Sequence, residues 1–187
     1  MARAIKAAWP DKLVVLGGTA ISQCFKHLSD KRRMAEFCRD ADAIVVGEGE
    51  TAMCEIAASA GNPGKVRAAP NTITFDHASG RVHFPDRIHY EDLASLGAPV
   101  YGHDWDLYLA PDRGVNYAPT RGCYWNRCAF CDYGLNSDSP TSPWRERPVD
   151  LVIDDLAVAK NSQSVNYVYF AVDVMSPKYV RKLANSI

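Results

Sequence analysis

Short β-branched runs alternate with longer amphipathic stretches through the first third of the chain. Leu13-Val14-Val15-Leu16 is closed by Gly17-Gly18, the pattern of a buried strand ending in a tight turn. Ala20 to Arg39 carries Ile21, Phe25, Leu28, Met34 and Phe37 in a mostly helical pattern, and Ser29-Asp30 is placed to interrupt it and cap a second helix. Ala43-Ile44-Val45-Val46 repeats the strand pattern and is again closed by glycine, in Gly47-Glu48-Gly49-Glu50. Thr51 to Ala60 then reads as a helix with Met53, Ile56 and Ala57 on one face and Gly61 beyond its end. Strand–helix–strand–helix at this spacing predicts βαβ units and a parallel sheet.

The texture changes at Gly61. Asn62-Pro63-Gly64 breaks the helical pattern, and Ile73-Thr74-Phe75 and Val82-His83-Phe84 flank Ser79-Gly80 as a small hairpin. Pro85 to Arg113 is rich in Pro, Gly, Asp and aromatics and reads as an irregular linker. His77, His83, His89 and His103 lie in this region, and most of them read as surface residues. The α/β rhythm then resumes. Val115 to Ala118 is a short strand, Pro148 to Lys160 a helix with Val149, Val152, Ile153 and Leu156 on one face, and Asn166 to Val172 a strand. Ser176-Pro177 opens a last helix by N-cap and N1 proline, with Val180, Leu183 and Ile187 at helical spacing.

Composition adds exclusions more than assignments. The 187 residues hold 21 Lys+Arg against 22 Asp+Glu, which removes the electrostatic reason to expect nucleic-acid or anionic-membrane binding. No apolar run is long enough to span a bilayer or form a secretory signal, so a cytoplasmic protein is expected. Cysteine placement changes the picture more. Cys24, Cys38 and Cys54 are scattered among apolar neighbours and read as small buried hydrophobes, whereas Cys123, Cys128 and Cys131 lie in one short stretch. In a chain without a secretory signal, such a cluster reads as metal ligands rather than disulfides.

The stretch is Thr120-Arg121-Gly122-Cys123-Tyr124-Trp125-Asn126-Arg127-Cys128-Ala129-Phe130-Cys131, with spacing C-x4-C-x2-C. Thiolates suit zinc or iron–sulfur clusters. A closed structural zinc site takes four ligands, and no Cys or His follows Cys131; the nearest upstream candidate is His103. Three cysteines in one loop suit a cubane cluster with one iron left open for an exogenous ligand. A small zinc-binding or interaction module using the same cysteines is the alternative.

This loop, after a short strand and before a βα unit, resembles the cluster loop of the radical S-adenosylmethionine (SAM) enzymes. Their usual spacing is C-x3-C-x2-C, from which this chain departs by one residue. The resemblance implies a 4Fe-4S cluster on Cys123, Cys128 and Cys131, with SAM chelated to the open iron and cleaved to a 5′-deoxyadenosyl radical (or used for methyl transfer). It implies that Phe130, just before the last cysteine, lies near the adenine. Tyr124, Trp125 and Tyr133 would pack around the cluster. Tyr167 to Leu183 resembles the second βα unit of these enzymes, which implies a place near SAM or substrate for Asp173. An electron donor such as flavodoxin or ferredoxin and a small-molecule or peptide substrate are implied as partners.

The first part resembles the C-terminal part of the cobalamin-binding domain that precedes one large radical SAM subgroup, on the strand ending Leu16-Gly17-Gly18 and the strand followed by Gly47-Glu48-Gly49-Glu50. The resemblance implies that Gly17 and Gly18 let the backbone approach a cobalamin nucleotide tail. The subgroup's cobalt-ligating histidine motif would lie further upstream and has no counterpart here. The acids Glu48 and Glu50 argue against a phosphate cradle at that turn. The expected organisation is the end of a Rossmann-like α/β domain over 1–62, a hairpin and linker over 63–113, and the first βα units of a partial (βα)6 radical SAM barrel over 114–187. Such a chain is truncated at both ends, and by itself it is expected to show no turnover.

Overall fold

In the computed structural model, which describes residues 1–102, 105–107, 112–128 and 143–187, the chain divides after Glu91 into two units, 1–91 and 92–187. The first unit opens with α1 (Ala2–Ala8), followed by β1 (Val15–Leu16), α2 (Thr19–His27), α3 (Lys31–Phe37), β2 (Ala43–Val45) and α4 (Glu50–Ala58). A further helix, α5 (Pro63–Ala68), leads to the hairpin strands β3 (Thr72–Asp76) and β4 (Arg81–His83). The sheet order is β1-β2-β3-β4.

β1 and β2 pair in parallel, with Val15 opposite Ala43, as a βαβ unit requires. The remaining pairings are antiparallel, so the sheet is mixed rather than wholly parallel. The cause lies at Asn62-Pro63-Gly64, which starts a helix as well as ending one. The Asn62 side chain accepts from the amides of Gly64 and Lys65 at 3.0 and 3.1 Å, and Pro63 takes the first helical position, where no amide donor is needed. The hairpin expected as part of a linker therefore joins the first sheet. Its turn is held by the Asp76 carboxylate, which accepts from the amides of Ala78 and Ser79 and from the Ser79 hydroxyl.

The central run Ala43 to Val46 is buried on both faces. Ile44 and Val46 join Met34, Ala35, Cys38 and Ile73 on one side, while Ala43 and Val45 join Ala52, Ile56, Val66 and Ala69 on the other. That two-sided burial is why the run is continuously apolar instead of alternating. Helix phases differ from the apolar pattern in places. α4 buries Ala52 and Ile56 while Met53 is exposed, and Phe37 at the end of α3 is 89% exposed. Of the scattered cysteines, Cys38 is buried, but Cys24 and Cys54 are exposed. Cys54 stands midway between Ala52 and Ile56, so the helical turn aims it outward.

Residues 88–91 close this unit through polar contacts. Asn71, fully buried at φ 57°, donates to the carbonyls of Glu48 and His89 at 2.7 and 2.9 Å and accepts from the His89 amide at 2.7 Å. The Glu91 carboxylate accepts from the amide and hydroxyl of Thr51 at the start of α4, and the Glu91 amide donates to the Glu48 carboxylate. His77 is exposed, His83 and His89 are partly exposed, and His103 lies outside the described residues.

The second unit contains a 3-10 turn (Trp105–Leu107), β5 (Gly114–Tyr117), β6 (Thr120–Arg121), β7 (Arg145–Glu146), α6 (Val149–Ser162), β8 (Tyr167–Phe170) and α7 (Pro177–Ala184). β5 and β8 pair in parallel from Gly114–Tyr167 to Tyr117–Phe170, with α6 in the connection between them. Tyr117, Val149, Val152, Tyr179 and Leu183 form the core, so α6 presents the face its sequence predicts. In α7, Tyr179 and Leu183 face inward while Val180 is exposed, and Ile187, expected in the same helix, lies beyond its end and is exposed. No described helix is long and apolar enough to cross a membrane.

Candidate metal centre

The cysteine loop follows β5 at the C-terminal end of a parallel strand pair, the end where α/β folds gather ligand-binding groups. Two short strands, too brief to leave a periodic signature, close the base of the loop. β6 and β7 pair antiparallel, with Thr120 opposite Glu146 and Arg121 opposite Arg145, and the Arg147 amide donates to the Pro119 carbonyl at 2.8 Å. The loop is thus a closed excursion on a ladder stem.

Gly122 leaves the stem at φ 77°, a conformation that glycine adopts without steric cost, and Asn126 follows at φ 45°. This bend brings the Asn126 amide to 3.3 Å from Cys123 Sγ, donating to it. Cys123 and Cys128 are half-buried cysteines. Tyr124 packs edge-on against Trp144 across the stem at 5.7 Å, and the Arg127 guanidinium lies 5.9 Å above the Trp125 ring. Cys131 and Phe130 lie outside the described residues, as does Tyr133. Among the described residues no group of three His, Cys, Asp or Glu side chains converges on a metal position. Thr120 is 2% exposed, and its hydroxyl has no hydrogen-bond partner among the described residues.

Asp173 follows β8, so it shares the C-terminal end of the parallel pair with the cysteine loop, and it is exposed. Gly17 and Gly18 lie in the first unit and have local explanations. A Cβ at Gly17 would meet the Val45 carbonyl oxygen at 3.3 Å across the β1–β2 pairing. Gly18 holds φ 94° where the chain turns into α2, with open space around a Cβ position. The start of α4 is matched by acids, because Glu50 is its first residue and Glu91 takes the Thr51 amide.

Beneath the stem is a buried polar cluster that the hydrophobic pattern does not disclose. Asp155, on the core face of α6, is 5% exposed. Its carboxylate accepts from the Tyr117 hydroxyl at 2.5 Å and from Arg147 Nη2 at 3.0 Å. Arg147 Nε stands 2.8 Å from the same carboxylate, off the line of a hydrogen bond, so that contact is ionic. Arg147 Nη1 donates to the carbonyls of Leu93 and Leu96, and the Tyr179 hydroxyl donates to the Arg147 carbonyl at 2.7 Å. Burial, then the adjacent Asp155 carboxylate, pushes the Tyr117 phenol far above its ordinary range. Burial, followed by the Glu146 charge, pushes Tyr179 up to about 12. The sequence signal for this cluster is Asp155 falling at i+3 from Val152, inside the apolar stripe of α6.

No family model and no curated protein matches the chain. Solved structures do. The cobalamin-dependent S-adenosylmethionine radical enzyme OxsB, with aqua-cobalamin and S-adenosylmethionine bound, matches 88% of this chain and 22% of its own, at 17% identity and a TM-score of 0.60. The same enzyme with aqua-cobalamin bound matches 85% of this chain and 21% of its own, at 19% identity and a TM-score of 0.58. Its apo, selenomethionine-labelled form covers 94% of this chain and 28% of its own, at 15% identity and 0.55. The chain thus spans between a fifth and three-tenths of the length of the chains it resembles. Its fold, mixed α/β with small sheets, resembles a portion of a cobalamin-dependent radical SAM enzyme.

Proposed function

We propose that this chain carries the cluster-binding segment of a radical SAM enzyme, with Cys123, Cys128 and Cys131 as ligands of a 4Fe-4S cluster whose open iron takes SAM. The observation that carries this reading is the cysteine loop closed on its β6–β7 stem at the C-terminal end of a parallel βαβ unit. The donor set fits the group. Cys123 and Cys128 offer soft sulfur ligands, and the Asn126 amide donates to Cys123 Sγ. Such hydrogen bonds to ligating sulfur tune cluster potential.

Bound there, the cluster would supply one electron to cleave the sulfonium of SAM. The protein's share is position and shielding. Tyr124 against Trp144 and Trp125 beneath Arg127 give the described part of the loop aromatic cover. Phe130 is proposed to lie beside the adenine, and Asp173 to face SAM or substrate from the end of β8. A flavodoxin- or ferredoxin-like electron donor and a small-molecule or peptide substrate belong to the same proposal. A cobalamin nucleotide tail against Gly17 and Gly18 is a secondary part of the proposal: the space at a Gly18 Cβ position is open, while Gly17 also serves the close approach of the Val45 carbonyl.

Anaerobic reconstitution with iron and sulfide tests the reading. A brown protein is expected, with visible sulfur-to-iron absorption and an EPR signal, after reduction, that changes when SAM is added. Alanine at Cys123, Cys128 or Cys131 should each abolish it. A colourless protein retaining one stoichiometric zinc would overturn the proposal in favour of a structural metal module.

A further inference from the structure

We infer that Asp155 is a positioning residue for the cysteine loop: its carboxylate grips the strand that leads into the loop and the segment that leaves it, and so fixes where Cys123 and Cys128 stand. This rests on the cysteine-loop reading above. Tyr117 is the last residue of β5, just ahead of the stem, and its hydroxyl ends on one carboxylate oxygen. Arg147 immediately follows β7, and its Nη2 ends on the other. The backbone closes the ring, since the Arg147 amide donates to the Pro119 carbonyl between them. Tyr179 adds a second hold on Arg147 from α7. Both ends of the loop are therefore referred to one point on one helix.

The chemistry argues against a purely cohesive role. Burying a carboxylate and a guanidinium costs desolvation that a hydrophobic pair of similar volume avoids, and such replacements are often neutral or stabilising. What an apolar pair would not supply is direction. Two donors from two segments, the Tyr117 hydroxyl and Arg147 Nη2, converge on the two carboxylate oxygens, fixing distance and angle together. Leucine on this face of α6 would cover the same core without specifying where Tyr117 and Arg147 lie.

The experiment uses the full chain, metal-free and reduced, and reads amide hydrogen exchange at the stem together with alkylation rates of Cys123 and Cys128. Tyr117→Phe removes one grip and Asp155→Asn weakens both. Arg147→Met with Asp155→Leu replaces the ion pair by apolar groups. Each is expected to speed exchange at the Arg121 and Arg147 stem amides by about tenfold, the worth of one hydrogen bond to a charged group, with faster alkylation of both cysteines. Amides of β8 and α7 keep their protection. The double variant is expected to do this while melting no lower than wild type. Val152→Ala, a cavity in the same core, should instead loosen the whole unit evenly. The inference is overturned if Tyr117→Phe and the double variant loosen the unit evenly, as Val152→Ala does, or leave the stem and the thiols at wild-type rates; these two decide the matter even where Asp155→Asn fails to fold. Because no cluster is involved, failed reconstitution with a responsive stem would sink only the proposed function. A reconstituted cluster with an unresponsive stem would sink only this inference.

Discussion

Asn71 shows how one side chain can close a unit. Fully buried and in a left-handed conformation, it donates twice and accepts once, tying residues 48 and 89 to the start of β3. Asn71→Ala removes those bonds, leaving the part-buried carbonyls of Glu48 and His89 without the Asn71 amide donor. A loss of about 3 kcal/mol is expected, read as a lower urea midpoint for the first unit. Tyr179 makes a different prediction. Its phenol is raised from 10.0 to about 12, so above pH 10 the unfolded chain gives up a proton that the folded chain retains. The unfolded state then binds fewer protons, and stability falls as pH rises. The contribution is fully present below pH 10 and is lost as the pH climbs to about 12. Urea midpoints should decline across that window, and more shallowly in Tyr179→Phe. Tyr117, shifted in the same direction, leaves part of the slope in place.

At the scale of elements, local chemistry made some features legible and others not. Ser176 before Pro177 announces α7, and its hydroxyl does accept from the Tyr179 amide at 3.2 Å while donating to Glu146 at 2.9 Å. Ser176→Ala should lower stability by about 1 kcal/mol, measured by chemical denaturation, because both the cap and the tie to β7 are lost. β2 was readable because a strand buried on both faces must be apolar throughout, and the partly buried β1 follows the same apolar pattern. The inward faces of α4 and α7 were readable only in part: Ile56 and Leu183 are buried as their spacing predicts, but Met53 and Val180 are apolar yet exposed, and the other anchors are Ala52 and Tyr179. The antiparallel return through α5 hid behind Asn62-Pro63, which can end one helix and begin another. β6 and β7, at two residues each, are too short for any period to show. The cysteines proposed as ligands stand out in the sequence by their spacing alone. Asp155 does not, because its partners Tyr117 and Arg147 are separated from it in sequence and meet it only through the fold.

At the scale of the whole molecule, the two units have separate cores with no shared residue among the described clusters. Ile73→Ala, at a fully buried position in the first, should cost about 2–5 kcal/mol there and leave amide exchange in the second unchanged. The units also differ in how their chains close. The hairpin of the first pairs Asp76 with Arg81, almost adjacent in sequence, whereas Asn166 meets Arg113 across a separation of 53 residues. Closing the longer span forfeits more chain entropy before any pairing is gained, so β5–β8 should form late during folding. Cys123, Cys128 and Cys131 all lie within that span. Their thiols are therefore exposed to solvent for as long as the span stays open. Refolding yield of the second unit should fall steeply when a thiol oxidant is added at the start, and far less when the same oxidant is added after the strands have paired.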